Sequence, residues 1–274
     1  MLGYKKGLVR EVMNYKNVAN LKSVARGKLL GKYSVATGAL VFIQLILFLI
    51  NSVVSGVADT NSPLGILIYS LITLIVELIA TAFIVGELTI YLNFACGNNA
   101  KATDVFSGFN KHPDKAILVR IIVFFRTIVW LIPCGIFSVI YFFDRSDILL
   151  AVLIITAVAG IVGFVYTAVN LSQCFYLLLD FPQYSAVELV RYSGIIMKGH
   201  RGRYLRLAVS FIPLCVLGLL SAGIGFLFIH PYVRMTYTEF YLEIIREPDR
   251  KPSFEAIVDE NMELQIMKEE DSDL

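Results

Sequence analysis

The chain has 274 residues, of which 57% are hydrophobic and only 17% are charged, whereas soluble domains usually contain ~45–50% apolar and ~25% charged residues. A soluble chain of this length must still cover itself with polar surface, so the composition excludes an ordinary soluble protein and predicts one whose main solvent is lipid. The formal net charge of +2 hides an asymmetry, because residues 1–33 carry a net charge of +7 and residues 246–274 carry one of −6.

The N-terminal 33 residues hold eight Lys or Arg residues and one acidic residue, Glu11. Lys and Arg are enriched in cytoplasmic loops next to membrane spans, so this segment predicts a cytoplasmic N-terminus at the inner membrane surface. A nucleic-acid-binding arm is disfavoured because no recognition motif accompanies the charges, and we expect no nucleic acid partner. Residues 1–33 are therefore interpreted as a basic cytoplasmic segment.

Long apolar runs fill the chain from residue 35 to residue 245. A helix needs about 20 residues to cross a hydrocarbon core of ~30 Å, and each of the first four runs reaches that length. The last stretch, residues 204–245, is either one span or two spans divided at residues 221–225, because the glycines there interrupt a helix. The six predicted spans are 35–57, 64–93, 116–143, 148–179, 204–221 and 224–245.

The distribution of Lys and Arg between the loops favours six spans over five. Residues 94–119 contain three and residues 180–206 contain five, whereas residues 58–63 contain none and residues 144–147 contain one. Three more basic residues directly follow the last run, which favours an inside C-terminus and therefore an even number of spans. The sequence predicts an all-α multi-pass transmembrane bundle in the cell membrane, with six spans, five as the alternative, both termini cytoplasmic and an acidic tail at 247–274.

A short amphipathic helix is predicted at the inner face, over residues 185–198. Ser185 and Glu188 have the spacing of a capping box, in which each side chain binds the other residue's backbone N–H. The helix runs into a basic cluster, and such a cluster beside an interfacial helix can hold anionic lipid headgroups. The alternative is that the cluster only stops translocation of the chain. The candidate headgroup contacts are Arg191, Lys198, Arg201, Arg203 and Arg206.

Five ionisable residues in or near the predicted spans are functional candidates, because charges are costly in a membrane. Glu77 and Arg126 match in depth near the middle of the bilayer, so they are predicted to pair. Glu87 and Arg120 match near the inner boundary and form a second predicted pair. Arg234 would compete for Glu77. The set is interpreted either as pairs that fix helix register or as a polar pathway between spans two, three and six.

No motif in the sequence indicates catalysis, a cofactor or a metal. The four cysteines lie about forty residues apart without a C-x-x-C spacing, and the three histidines have no metal-ligand spacing. The sequence also contains no phosphate-binding loop, no G-x-S-x-G elbow and no dinucleotide fingerprint. We therefore expect no enzyme, no cofactor and no metal site.

Four phrases in the sequence match a known family. They are Ala25-Arg26 with Leu29-Leu30-Gly31-Lys32; Phe106-Ser107-Gly108-Phe109; Arg191-Tyr192-Ser193 with Met197-Lys198-Gly199-His200-Arg201-Gly202-Arg203; and Gly223-Ile224-Gly225 with Pro231-Tyr232 and Phe240-Tyr241. With these phrases the chain resembles, over about residues 20–245, the bacterial integral-membrane family catalogued as domain of unknown function 975. The resemblance implies a multi-pass helical fold and no assigned activity. The chain departs from the family where Ile212-Pro213 stands in place of a tryptophan.

The sequence leaves two classes of function open. The first is a non-catalytic membrane accessory protein that binds anionic lipid headgroups or a membrane protein partner through its basic inner face. The alternative is a small-solute transporter or channel-like bundle that uses Glu77, Arg126 and Arg234. Transporters often contain internal repeats, and none is found between residues 35–143 and 148–245, so the first class is favoured.

Overall fold

The computed structural model describes residues 17–57 and 62–246, and every regular element within them is helical. The α-helices are α1 (Val18–Leu29), α2 (Tyr33–Val57), α3 (Pro63–Ala95), α4 (Ser107–Asn110), α5 (Pro113–Ile128), α6 (Ile132–Phe143), α7 (Asp147–Asn170), α8 (Cys174–Asp180), α9 (Ala186–Ile196), α10 (Arg201–Val209), α11 (Ile212–Leu220) and α12 (Phe226–Ile245). Two 3₁₀ helices, Ala102–Phe106 and Val129–Leu131, precede α4 and α6. The predicted all-α class is confirmed, and the first 16 residues and the acidic tail lie outside the described part.

Five helical segments are long and apolar enough to cross a membrane. They are Tyr33–Gly56, Pro63–Ala95, Pro113–Phe143, Asp147–Asp180 and Arg201–Leu220. The structure also divides the last apolar stretch where the sequence predicts, because residues 221–225 form a turn between α11 and α12. α12 carries Arg234, Glu239 and Glu243 and is not among the five. These helices agree with a multi-pass bundle.

In two of the five segments the helix is broken, and a proline lies in the first turn of the helix that follows the break. Pro133 lies at the start of α6, directly after the 3₁₀ turn that separates α6 from α5. Pro213 lies at the start of α11, after the break at Ser210 and Phe211 that separates α11 from α10. Proline has no N–H and its ring clashes with the preceding turn, so a regular helix does not continue through it. Each of these segments therefore consists of two shorter helices.

The helices form a packed layer at one end and an open layer at the other. In α3 no residue from Pro63 to Ile79 is buried, whereas every residue from Ala80 to Tyr91 except Ile84 is buried. The packed layer contains α1, this second half of α3, residues 102–110, the start of α5, α8 to α10 and most of α12. The open layer contains the end of α2, the start of α3, α6, most of α7 and α11, whose large apolar side chains are exposed. Exposed apolar surface on this scale is typical of helices that face lipid.

The two ends of the described chain meet in the packed layer, where α12 packs against α1, α2 and α3. Arg26 Nε donates a hydrogen bond of 3.1 Å to the Tyr232 hydroxyl. Lys28 Nζ lies 2.6 Å from Glu239 Oε1, and Glu239 is buried. A buried carboxylate is costly without a cation, so Glu239 needs Lys28 as its partner. This ion pair therefore stabilises the contact between the basic segment before α2 and the last helix.

Candidate anion-binding site

Three arginines from three helices line one pocket of about 570 Å³. Arg126 comes from α5, Arg191 from α9 and Arg201 from the first turn of α10. Within residues 17–57 and 62–246, no Asp or Glu lines this pocket. The wall of the pocket therefore leaves three positive charges uncompensated, which makes it a candidate site for an anion.

Side chains of α7 hold two groups of the pocket in place. Trp130 Nε1 donates a hydrogen bond of 2.8 Å to Thr167 Oγ1. Arg201 Nε donates a hydrogen bond to Asn170 Oδ1, and the guanidinium carbon lies 4.7 Å from the centre of the Tyr166 ring. The hydrogen bond and the cation–π contact fix the direction of Arg201, so little side-chain entropy is lost when it binds a ligand.

Two glycines of α7 allow Trp130 to lie directly on that helix. A Cβ atom on Gly163 would overlap the Trp130 indole, and one on Gly160 would lie 2.8 Å from the Trp130 carbonyl oxygen. Because the backbone oxygen and the large indole have little freedom to move, a larger residue at either position would push the two elements apart. The glycines thus set the distance between α7 and the 3₁₀ turn, and with it the place of Arg126 one turn earlier.

A capping box sets the start of α9 and the place of Arg191. Ser185 Oγ accepts a hydrogen bond from the Glu188 N–H, and Glu188 Oε2 accepts one of 2.8 Å from the Ser185 N–H, as the sequence predicts. The face of α9 that carries Arg191 lines the pocket with Val187 and Gly194. A Cβ atom on Gly194 would meet nothing within 4 Å, so there is free space at this wall.

The arrangement suits a phosphate or carboxylate group that is attached to an apolar part. Guanidinium groups present planar pairs of donors that bind such anions with two hydrogen bonds at once. Arg126 and Arg191 are exposed and form no ion pair within the described residues, so their donors can reach a ligand. Val129 and Tyr166 are each 52% exposed and provide an apolar surface beside the charges.

The other basic residues of the predicted inner-face cluster lie outside the pocket lining. Arg203 Nη2 lies 3.0 Å from Glu243 Oε2 and is therefore engaged in an ion pair. Arg206 is exposed on α10, and Lys198 is exposed just after α9. Of the five predicted headgroup contacts, the structure places only the two described above in the pocket.

Arg126 is the member of the pocket to which the sequence assigns another role. Its spacing predicts a position near the middle of the bilayer and a pair with Glu77, but the structure places it beside the other two arginines. Glu77 is exposed on α3 and forms no ion pair with any described residue, so the predicted pair is wrong. The depth was overestimated because the first turns of α5, with Ala116 and Val119, are buried in the packed layer.

Glu87 also pairs with residues other than the predicted one. It is 5% exposed, and its carboxylate oxygens lie 3.6 Å from Arg234 Nε and 3.4 Å from His230 Nδ1. Arg120, the predicted partner, forms no ion pair within the described part of the chain, so this prediction is corrected. The physical reason is that α12 packs against α3, and its charged residues meet Glu87 there. Arg234 accordingly pairs with Glu87 rather than with Glu77.

We expect Arg203→Gln to lower stability without changing lipid preference. Arg203 and Glu243 are largely buried, with side chains 16% and 15% exposed, so removal of the cation leaves a carboxylate that has lost this partner. The expected cost is on the order of 2 kcal/mol. Thermal melting of the purified protein measures it, with Arg206→Gln as the exposed control that should melt like the parent. Weakened binding of anionic lipid at unchanged stability would instead assign Arg203 to the site.

A family profile matches residues 13–247, a range that contains every helix from α1 to α12. No curated protein and no solved structure matches the chain. The matched range also contains all the phrases on which the resemblance was based. The chain therefore belongs to the family described as "Protein of unknown function (DUF975)".

Proposed function

We propose that the protein is a non-catalytic protein of the cell membrane that binds anionic lipid headgroups in the pocket formed by Arg126, Arg191 and Arg201. The apolar helical segments support a position in the membrane. The basic loops support cytoplasmic termini, with the pocket at the inner face. The observation that carries the proposal is the convergence of three arginines on one pocket whose described lining contains no acidic residue.

An anionic lipid fits this pocket better than a soluble anion, because charge and apolar surface adjoin each other. Trp130 and Val129 are 44% and 52% exposed and lead into α6, whose large apolar side chains are also exposed. A headgroup can bind the arginines while its acyl chains lie along this surface. Each basic residue near the membrane surface contributes ~1 kcal/mol of attraction to anionic lipid.

The single tryptophan of the chain reports on the pocket, because Trp130 is part of its lining. We expect phosphatidylglycerol, titrated into detergent-solubilised protein, to change the fluorescence of Trp130, and phosphatidylcholine to leave it unchanged. Replacing all three pocket arginines with glutamine should weaken the binding of phosphatidylglycerol on the order of 100-fold, at about 1 kcal/mol for each arginine.

A second triple variant controls for overall charge. Lys101→Gln, Lys111→Gln and Arg206→Gln remove the same charge from exposed positions outside the pocket and should retain binding. Equal losses in the two triple variants would mean that only the overall charge matters and that the pocket is not the site. Inorganic phosphate serves as a soluble competitor, and efficient displacement of the lipid by phosphate would identify the ligand as a soluble anion.

Transport of a small solute is the second candidate, and the cluster of Glu87, His230 and Arg234 favours it. Ionisable residues between apolar helices mark many ion and solute pathways. The His230 side chain is 32% exposed and also lines a groove of about 600 Å³ between α2 and the start of α12, so the cluster can be reached from one side. Solute flux in proteoliposomes that is lost in Glu87→Gln but persists in the pocket variant would favour transport over lipid binding.

A further inference from the structure

The last apolar stretch of the chain forms a hairpin, residues 211–232. It consists of α11, the turn at 221–225 and the first turns of α12. At the base, the ring centres of Phe211 and Tyr232 lie 5.4 Å apart. Near the tip, a Cβ atom on Gly225 would lie 3.0 Å from Gly218 Cα. The two arms therefore run side by side and antiparallel from base to tip.

The basic helix α1 holds the base of this hairpin. Lys22 Nζ donates a hydrogen bond of 2.8 Å to the Ser210 carbonyl oxygen, and Arg26 Nε donates one of 3.1 Å to the Tyr232 hydroxyl. Each arm has about ten residues from base to tip, which corresponds to ~15 Å at ~1.5 Å per residue. That is half of the ~30 Å needed to cross a hydrocarbon core.

The register of the hairpin against α2 shows how far its tip reaches. Thr37 Oγ1 donates a hydrogen bond of 3.0 Å to the Leu227 carbonyl oxygen. From Thr37 to its end at Val57, α2 has about 20 more residues, which correspond to ~30 Å. In the same direction, the hairpin extends from Leu227 to its tip at Gly223 by only about four residues, or ~6 Å. The tip therefore stops roughly 24 Å short of the end of α2.

Contacts with α3 give an independent measure of the same height. Glu87 lies 3.4 Å from His230, and α3 extends from Glu87 back to Pro63 over about 24 residues, or ~36 Å. From His230 to Gly223 there are about seven residues, or ~10 Å, so the tip stops roughly 26 Å short of the start of α3. A helix tilt of ~20° shortens each projected length by less than about a tenth and does not close this gap.

We propose that the hairpin is re-entrant: it inserts into the cytoplasmic leaflet, turns near the bilayer centre and returns to the same side. Four segments then cross the membrane, which keeps both termini on one side as an even number requires. Arg201–Leu220 has the length and composition of a span, but α10 packs against α1 and α7 with Leu207 fully buried. Only α11 and the first turns of α12 are left to enter the lipid.

The side chains at the tip are those of an element inserted into lipid. Leu219, Leu220 and Ile224 are 69%, 78% and 65% exposed. Between Arg206 and Arg234 the sequence contains no Lys, Arg, Asp or Glu. An uncharged tip with such exposed apolar side chains gains free energy by leaving water for hydrocarbon.

The turn at the tip also satisfies its own backbone, which hydrocarbon requires because no water is available there. The Gly223 N–H donates to the Gly218 carbonyl oxygen at 3.0 Å, and the Ile224 N–H donates to the Ser221 carbonyl oxygen at 3.2 Å. The Gly225 N–H donates to Ser221 Oγ at 2.8 Å. With these donors paired inside the hairpin, the turn can lie near the bilayer centre without exposing their N–H groups to hydrocarbon.

Labelling of introduced cysteines tests the hairpin in the intact cell. Cys96, Cys134 and Cys215 are replaced by alanine, and the buried Cys174 is kept. The introduced cysteines are Arg145→Cys between α6 and α7, Lys111→Cys between α4 and α5, and Ile224→Cys at the tip. We expect a membrane-impermeant maleimide to label Arg145→Cys on intact cells, Lys111→Cys only after permeabilisation, and Ile224→Cys in neither condition.

The depth of the tip is measured with a spin label on Ile224→Cys. We expect the label to be accessible to oxygen and inaccessible to a water-soluble nickel chelate, and the same label on Lys111→Cys to show the opposite pattern. Labelling of Ile224→Cys from outside would show that the hairpin crosses the membrane. Labelling only after permeabilisation would place the tip in cytoplasmic water. Either result overturns the proposal. If Ile224→Cys does not accumulate, Leu219→Cys on the other arm, at a residue 69% exposed, supports the same measurement.

Discussion

Gly108→Ala is expected to destabilise the packed layer by about 3 kcal/mol. A Cβ atom on Gly108 would overlap the Ala82 carbonyl oxygen and lie 2.8 Å from the Gly86 backbone nitrogen. Gly86 on α3 is equally close to the other element, because a Cβ atom there would overlap the Val105 carbonyl oxygen. Side-chain rotation cannot relieve a clash with backbone atoms, so α3 and residues 102–110 would have to separate. Thermal melting in detergent, together with the amount of protein in the membrane, measures the loss.

The matched control for this substitution is Gly27→Ala in α1. A Cβ atom on Gly27 would meet nothing within 4 Å, and the residue is helical, so alanine should be neutral or stabilising by up to ~1 kcal/mol. Similar melting temperatures for the Gly108 and Gly27 variants would show that the approach of α3 to residues 102–110 is not as close as described. The prediction also gives a steric role to the phrase Phe106-Ser107-Gly108-Phe109, which the sequence alone marks only as a resemblance.

Glu87→Gln is expected to cost on the order of 2 kcal/mol, because it leaves Arg234, whose side chain is 34% exposed, without its carboxylate in the packed layer. Glu87 is 5% exposed, and its pair with Arg234 measures 3.6 Å. The double variant Glu87→Gln, Arg234→Gln should recover much of the loss, since neither charge then remains unpaired. Melting temperatures of the two single variants and the double variant give the coupling between the two residues.

Glu77→Gln is the matched control, because it makes the same change on the same helix. Glu77 is exposed in the open layer and has no ion-pair partner within the described residues, so its loss should leave stability unchanged or raise it. If the two glutamate variants are equally unstable, the ion pair of Glu87 does not contribute as described. Full additivity of the Glu87 and Arg234 effects would contradict the pairing itself.

Local features of the fold could be predicted from the sequence because their signals are local. The apolar runs predict helices of spanning length, the glycines predict the turn at residues 221–225, and Ser185 with Glu188 predicts the start of α9. Each of these features depends on residues within one or two turns of each other, so propensity, patterning and capping are enough to find them.

The contacts between distant helices could not be predicted in the same way. The sequence shows that Glu87 needs a cation, but it ranks Arg120 on the next span above Arg234, which lies nearly 150 residues away. Only part of the arginine pocket could be predicted from the sequence. Arg191 and Arg201 belong to one basic cluster along the chain, whereas Arg126 lies on another helix. Counting residues from the start of an apolar run also fails where the first turns are buried by protein rather than by lipid, as they are in α5.

The meeting of α1 with α12 has a consequence for how the protein is made. Helix α12 is the last described element to leave the ribosome, yet it supplies the partners of Arg26, Lys28 and Glu87. Until α12 is synthesised, these three side chains lack their partners on that helix, although the earlier helices are already inserted. The packed layer therefore remains incomplete until then. We therefore expect chains released before Phe226 to remain incompletely packed and to be degraded faster than chains that contain α12.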